Sequence, residues 1–140
     1  MSIESKNSII ENCSLRHVTV QARDWEASLR LYRDVLGMEV VAEFGSPKRR
    51  IILLDVGDGS HIELLAPTAD TPAVGSPAVN DPLIHVALAT TDASVALEHV
   101  RQAGYEITVE PTVVSLGDSK ATVAFFKGPS GEVIEFFQVH

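Results

Sequence analysis

Four residues carry the chemistry that this sequence offers: His17, Glu63, His85 and Glu135. Imidazole nitrogens and carboxylate oxygens suit Zn, Ni, Co, Mn or Fe(II), and a chain with one cysteine excludes a thiolate zinc site. Singly, none of the four is informative. A lone His at the start of a strand is ordinarily structural, and a lone Glu in a strand ordinarily faces solvent. Their recurrence is what counts. Arg16-His17-Val18-Thr19-Val20 matches Ile84-His85-Val86-Ala87-Leu88 at an offset of 68, which also takes Asp24 to Asp92 and Leu29 to Leu97. Ile62-Glu63-Leu64 matches Ile134-Glu135-Phe136 at an offset of 72, and Ile51-Ile52-Leu53-Leu54 falls on Val123-Ala124-Phe125-Phe126. The chain therefore repeats itself once. The second copy carries about four extra residues, placed between Gly104 and Lys120.

Each copy must supply elements that carry its His and its Glu to a common site. His17–Ala22 alternates and is rich in Val and Thr, which predicts a half-buried strand. Asp24 is a helix N-cap, Trp25, Leu29, Tyr32 and Leu36 recur at helical spacing, and Gly37 ends the helix. Asp92 to Gly104 repeats this grammar, with Ala93, Leu97, Val100 and Ala103 on one face. Three strands follow each helix: Glu39–Phe44, Arg50–Val56 and His61–Ala66, then Glu106–Val109, Ala121–Phe126 and Val133–Val139. Gly57-Asp58-Gly59-Ser60 and Gly128-Pro129-Ser130-Gly131 are hairpin turns. The expectation is an α+β fold of two tandem βαβββ modules whose curved mixed sheet surrounds a metal. Residues 1–13 are a flexible tail, and 14–140 form one domain: module 1 at about 14–66, a Pro-rich linker at about 67–82, and module 2 at about 83–140.

Strand alternation decides which side chains meet. His17, Thr19 and Gln21 share a face, as do His61, Glu63 and Leu65. The second half repeats this with His85, Ala87 and Ala89, then Val133, Glu135 and Phe137. Glu63 and Glu135 each stand between apolar neighbours, where a carboxylate is costly to bury unless paired, protonated or metal-bound. Two His and two Glu at equivalent places answer that cost together, so all four are expected to gather at one divalent-metal site. Thr19, Gln21, Leu65, Ala87, Phe137 and Phe126 are candidates to line its cavity, and His61 is a candidate to support Glu63. His99 and His140 are expected to face solvent.

The bulk numbers exclude other classes. A formal charge of −8 opposes nucleic-acid binding, and Lys48-Arg49-Arg50 is the only basic run. That run is either a solvated turn or an anchor for an anionic group on a small substrate. No apolar stretch approaches membrane length, no basic-then-apolar leader opens the chain, and one thiol builds no disulfide framework. A cytoplasmic protein with no membrane partner is expected.

The stretch from Leu15 to Val139 resembles the glyoxalase I / vicinal oxygen chelate (glyoxalase/bleomycin resistance/dioxygenase) superfamily. The matching features are the two His-bearing strands above, Leu31-Tyr32-Arg33-Asp34-Val35-Leu36-Gly37-Met38, His61-Ile62-Glu63-Leu64-Leu65, and Gly128-Pro129-Ser130-Gly131-Glu132-Val133-Ile134-Glu135-Phe136. The resemblance implies paired βαβββ modules around a metal, often with sites built at a homodimer interface. Dioxygenases and fosfomycin-type thiol transferases of this superfamily use two His and one Glu. Glyoxalase I enzymes add a fourth ligand, Glu, where methylmalonyl-CoA epimerases usually have Gln. Glu63 at that place is similar to glyoxalase I, a lyase that isomerises a hemithioacetal to a 2-hydroxyacyl thioester.

By that resemblance Glu135 is the first choice for the catalytic base and Glu63 the alternate. His17 and His85 complete the ligand set, and the cosubstrate is a thiol such as glutathione. Two features depart from the bacterial glutathione-dependent pattern. Gln21 stands where an Arg contacts glutathione, and Leu64-Leu65-Ala66-Pro67 replaces a polar and aromatic segment. An acyl-CoA epimerase, a ring-cleaving dioxygenase and a non-catalytic antibiotic binder are the alternatives. Arg23, Lys48, Arg49, Arg50 and Lys120 are the cations able to anchor an anionic tail.

Overall fold

Two aspartates start the two helices. Asp24 accepts from the Ala27 amide at 3.0 Å and Asp92 from the Val95 amide at 2.9 Å, each satisfying a donor of the first turn. The chain is described by a computed structural model over residues 6–71 and 81–140. The sequence-predicted linker residues 72–80 lie outside these.

Among the described residues eight strands and two α-helices follow one another as two βαβββ modules. The first holds β1 (His17–Gln21), α1 (Trp25–Leu29), β2 (Glu39–Ser46), β3 (Arg49–Asp55) and β4 (His61–Leu65). The second holds β5 (Val86–Ala89), α2 (Ala93–Gln102), β6 (Ile107–Leu116), β7 (Ser119–Lys127) and β8 (Val133–Val139). After α1 the chain widens into π-helical turns over Arg30–Val35, where the Leu36 amide bonds the Leu31 carbonyl at 2.8 Å. Gly37, at φ +75°, then reverses the backbone as the sequence predicts.

Each module makes its own four-stranded sheet, in orders β1-β4-β3-β2 and β5-β8-β7-β6. The first and last strands of each module pair in parallel, and the other pairs are antiparallel. Strand β6 runs well past Val109, where the sequence reading ended it. Pro111 cannot donate to a ladder, but β6 is an edge strand, and register shifts between Ile107 and Thr112 accommodate the ring and the extra residues.

Alternation sends Ile52, Leu54, Ile62 and Leu64 of the first sheet, and Ala124, Phe126, Ile134 and Phe136 of the second, into one core with Leu31, Tyr32, Leu97 and Val100 from the helical segments. Polar bonds cross between the modules over the same face. The Tyr32 hydroxyl donates to Glu132 Oε2 at 3.0 Å, the Arg23 amide donates to Ser130 Oγ at 2.9 Å, and Arg30 donates to the Tyr105 hydroxyl and the Ala103 carbonyl. Gly128 permits the turn that brings Glu132 there, because a Cβ at 128 would collide with the Glu132 side chain. His99 is exposed as expected, yet its Nε2 sits 2.7 Å from the Val35 carbonyl, and His140 lies 2.6 Å from Thr122 Oγ1. Among the described residues no helix is long and apolar enough to cross a membrane.

Burial, and then the adjacent Glu132 charge, raise the Tyr32 pKa well above the ordinary phenol value. A raised folded-state pKa means this contribution to stability is complete below pH about 10 and is lost as pH climbs beyond it. Melting temperatures recorded from pH 8 to 11 should therefore fall more steeply for the wild type than for Tyr32→Phe. Phe126→Ala should cost about 3–5 kcal/mol in urea unfolding, because its ring is fully enclosed between the modules.

Candidate metal centre

The parallel pairings set the geometry. In the first sheet Thr19 stands opposite Glu63, and in the second Ala87 stands opposite Glu135. His17 opens β1 and His85 immediately precedes β5, so each imidazole lies beside the carboxylate of its own half. His17 Nε2 is 3.8 Å from Glu63 Oε2, and His85 Nε2 is 2.9 Å from Glu135 Oε2. The four sequence-predicted residues thus come together as two pairs. Within one chain the described residues bring no three His, Cys, Asp or Glu side chains close enough to hold a metal ion.

The pairs are not equivalent. Thr19 Oγ1 donates to Glu63 Oε1 at 3.2 Å, whereas Ala87 gives Glu135 no such partner. Side-chain exposure is 20% for Glu63 and 8% for Glu135, against 41% and 38% for His17 and His85. Glu135 is therefore the buried carboxylate, and the His85 imidazole lies beside it at 2.9 Å. The arrangement fits a divalent ion. A ring nitrogen and a carboxylate oxygen face each other in each pair, the imidazoles reach solvent, and a carboxylate in an apolar strand is left with spare lone pairs.

Phe125 is the residue that the sequence reading missed. Its ring meets the His85 ring edge-on at 5.3 Å between centroids, and it pairs across the ladder with Glu135. Phe126, proposed as a cavity residue, instead points into the core at 0% exposure, because one step along β7 reverses the face. Alternation carried across the Gly128–Gly131 turn from Glu135 would have found Phe125. His61 does not support Glu63. Its Nδ1 is buried without a partner, and it lines an adjoining cleft with Asp58 and Ser60.

A cavity of about 820 Å³ is lined by His17, Thr19 and Gln21 on one side and by His85 and Ala87 on the other, with Arg23, Ser130 and Glu132 also in its wall. That volume is in the range of small-molecule sites. Leu65 and Phe137, also expected there, are not in its lining, and neither are Glu63 and Glu135. His85→Ala should lower stability by about 1–3 kcal/mol in urea titration, since it strips a buried carboxylate of its partner. His17→Ala should cost less, because Glu63 is more exposed and keeps Thr19.

The family model for the Glyoxalase/Bleomycin resistance protein/Dioxygenase superfamily matches residues 14–136. The chain is 29% identical over 125 residues to a lactoylglutathione lyase of Salmonella typhimurium, covering 89% of this chain and 91% of that protein. Glyoxalase I from Zea mays shares the fold at a TM-score of 0.71 and 23% identity, over 89% of this chain and 44% of the maize chain. TnmS3, an antibiotic binding protein from Streptomyces sp. CB03234, shares it at a TM-score of 0.66 and 17% identity, over 94% and 99%. The chain spans a little under half the length of the plant proteins it matches.

Proposed function

The chain belongs to the Glyoxalase/Bleomycin resistance protein/Dioxygenase superfamily, and from that premise we propose that it is a metal-dependent lyase or isomerase of the glyoxalase I type. One observation carries the reading: Glu63 holds in the first half the register position that Glu135 holds in the second, each beside a His, giving two carboxylates and two imidazoles. The lactoylglutathione lyases among the relatives support it.

His17, Glu63, His85 and Glu135 are the ligands we assign, with Ni, Co, Zn, Mn or Fe(II) as candidate ions. A divalent ion held by these donors would supply Lewis acidity that stabilises negative charge building on two adjacent substrate oxygens. Glu135 acts as the base. It takes the proton from the carbon that bears sulfur and hydroxyl and delivers it to the neighbouring carbonyl carbon. The hydroxyl proton passes to the other oxygen, so a hemithioacetal becomes a 2-hydroxyacyl thioester with no external oxidant or reductant. Enclosure of Glu135 keeps water from competing for that proton. Glu63, held by Thr19, is the alternate base. A cytoplasmic setting rich in small thiols suits this reaction.

Because each chain holds its donors as two separate pairs, we assign the complete site to a homodimer, with the first pair of one copy meeting the second pair of the other. Mixing variants tests this directly. His17→Ala/Glu63→Gln and His85→Ala/Glu135→Gln chains should each be inactive alone on methylglyoxal with glutathione. After mixing and subunit exchange, one intact site per heterodimer should restore turnover. Continued inactivity despite heterodimer formation would remove the shared site.

Metal content measured after loading should be close to one ion per pair of His–Glu pairs, falling at least tenfold in occupancy at micromolar metal for Glu135→Gln. Equal loading of wild type and both Glu→Gln variants would overturn the ligand assignment. Turnover of acyl-CoA epimers instead of hemithioacetals would move the substrate and keep the proton transfer. Tight small-molecule binding by a metal-free protein would point to a binder.

A further inference from the structure

The two modules hold their His–Glu pairs by different means. Thr19 and Ala87 occupy the same place in the repeat, each facing its module's glutamate across the parallel ladder. Leu53 and Phe125 face the same glutamates from the antiparallel side. The neighbours of Glu63 are therefore Thr19 and Leu53, and those of Glu135 are Ala87 and Phe125. In the first module a hydroxyl acts on the carboxylate: Thr19 Oγ1 donates to Glu63 Oε1 at 3.2 Å. His17 stands 3.8 Å from that carboxylate, and among the described residues no aromatic ring meets it. In the second module an aromatic ring acts on the imidazole: Phe125 and His85 cross at 90° with centroids 5.3 Å apart. Ala87 has no polar side-chain group with which to orient Glu135.

We propose that Thr19 and Phe125 are positioning residues with complementary targets: Thr19 fixes the carboxylate of the first pair, and Phe125 fixes the imidazole of the second. The inference rests on the reading of the His–Glu pairs as metal ligands. A hydroxyl that donates to a carboxylate makes a charge-assisted bond, which occupies one oxygen and sets the direction of the other. Glu63 then keeps Oε2, the atom that faces His17, for an ion. A glutamate without such a donor loses more side-chain freedom when a metal arrives. An imidazole has a broad second torsion, and a ring set edge-on against it narrows that range. Each residue acts through a ligand, so its removal lowers metal affinity while every donor atom remains. The carboxylate left without a hydroxyl tether is Glu135, the one assigned to move the proton.

Cobalt(II) affinity of the full chain, measured by competition with a chelator, tests both assignments without turnover. Thr19→Val keeps the side-chain shape and removes the hydroxyl, and it should bind the ion about 10-fold more weakly than wild type. Thr19→Ser keeps the donor and should stay within about threefold. The Thr19→Val loss should disappear in a Glu63→Ala background and persist in Glu135→Ala. Phe125→Leu should bind about fivefold more weakly, a loss that disappears in His85→Ala and persists in His17→Ala. A merely structural role would lower affinity in every background alike, and that result overturns the proposal. The Thr19 assignment is also overturned if Thr19→Val stays within about twofold of wild type while Glu63→Ala loses the ion. The same outcome for Phe125→Leu, with His85→Ala losing the ion, overturns the Phe125 assignment. If wild type binds no cobalt(II), or if Glu63→Ala and His85→Ala bind it as wild type does, the ligand reading itself fails and both positioning roles fall with it.

Discussion

Everything at the site depends on the first strand of each module lying parallel to the last. Parallel neighbours cannot be joined by a tight turn; a covering crossover is needed, and here the helix and two further strands supply it. The pairing then puts a residue near the start of the module against one near its end: Thr19 with Glu63, Ala87 with Glu135. Had the outer strands met in antiparallel fashion, the His at the head of β1 would lie opposite the far end of β4. The short separation of imidazole and carboxylate is thus a property of topology before it is a property of side chains.

The helices serve that pairing in a second way. They cover one face of each sheet and share a single core, while the polar bonds from Tyr32, Arg23 and Arg30 join the modules over the covered side. Stability is concentrated there, and the opposite face is free to hold groups that stability alone would not select. Glu135 is the clearest case. It is enclosed by apolar strands with one imidazole beside it, a cost the core must offset.

Much of this was legible in the residues. The repeat, the Asp caps, Gly37 and the alternation of β1, β4 and β8 led to the correct elements and to the faces on which His17, Glu63 and Glu135 lie. Three features were not legible, each for a physical reason. Pro111 reads as the end of a strand unless the strand is known to be an edge. Phe125 and Phe126 exchange roles on a one-residue shift, and propensity does not fix which of two adjacent phenylalanines faces in. The gathering of the four donors into two pairs instead of one cluster depends on how the modules pack, which local pattern does not encode.

The same one-residue sensitivity gives the β2–β3 hairpin a kind of reading frame. Arg49 and Arg50 are chemically identical neighbours, yet one braces Trp25 and the other reaches Gln21. Substituting residues in the turn leaves that division intact. Inserting or deleting one would exchange the two sides, withdrawing the guanidinium from Gln21 and presenting the wrong arginine to the helix. Among descendants of this chain, the length of the hairpin should be held more strictly than its composition.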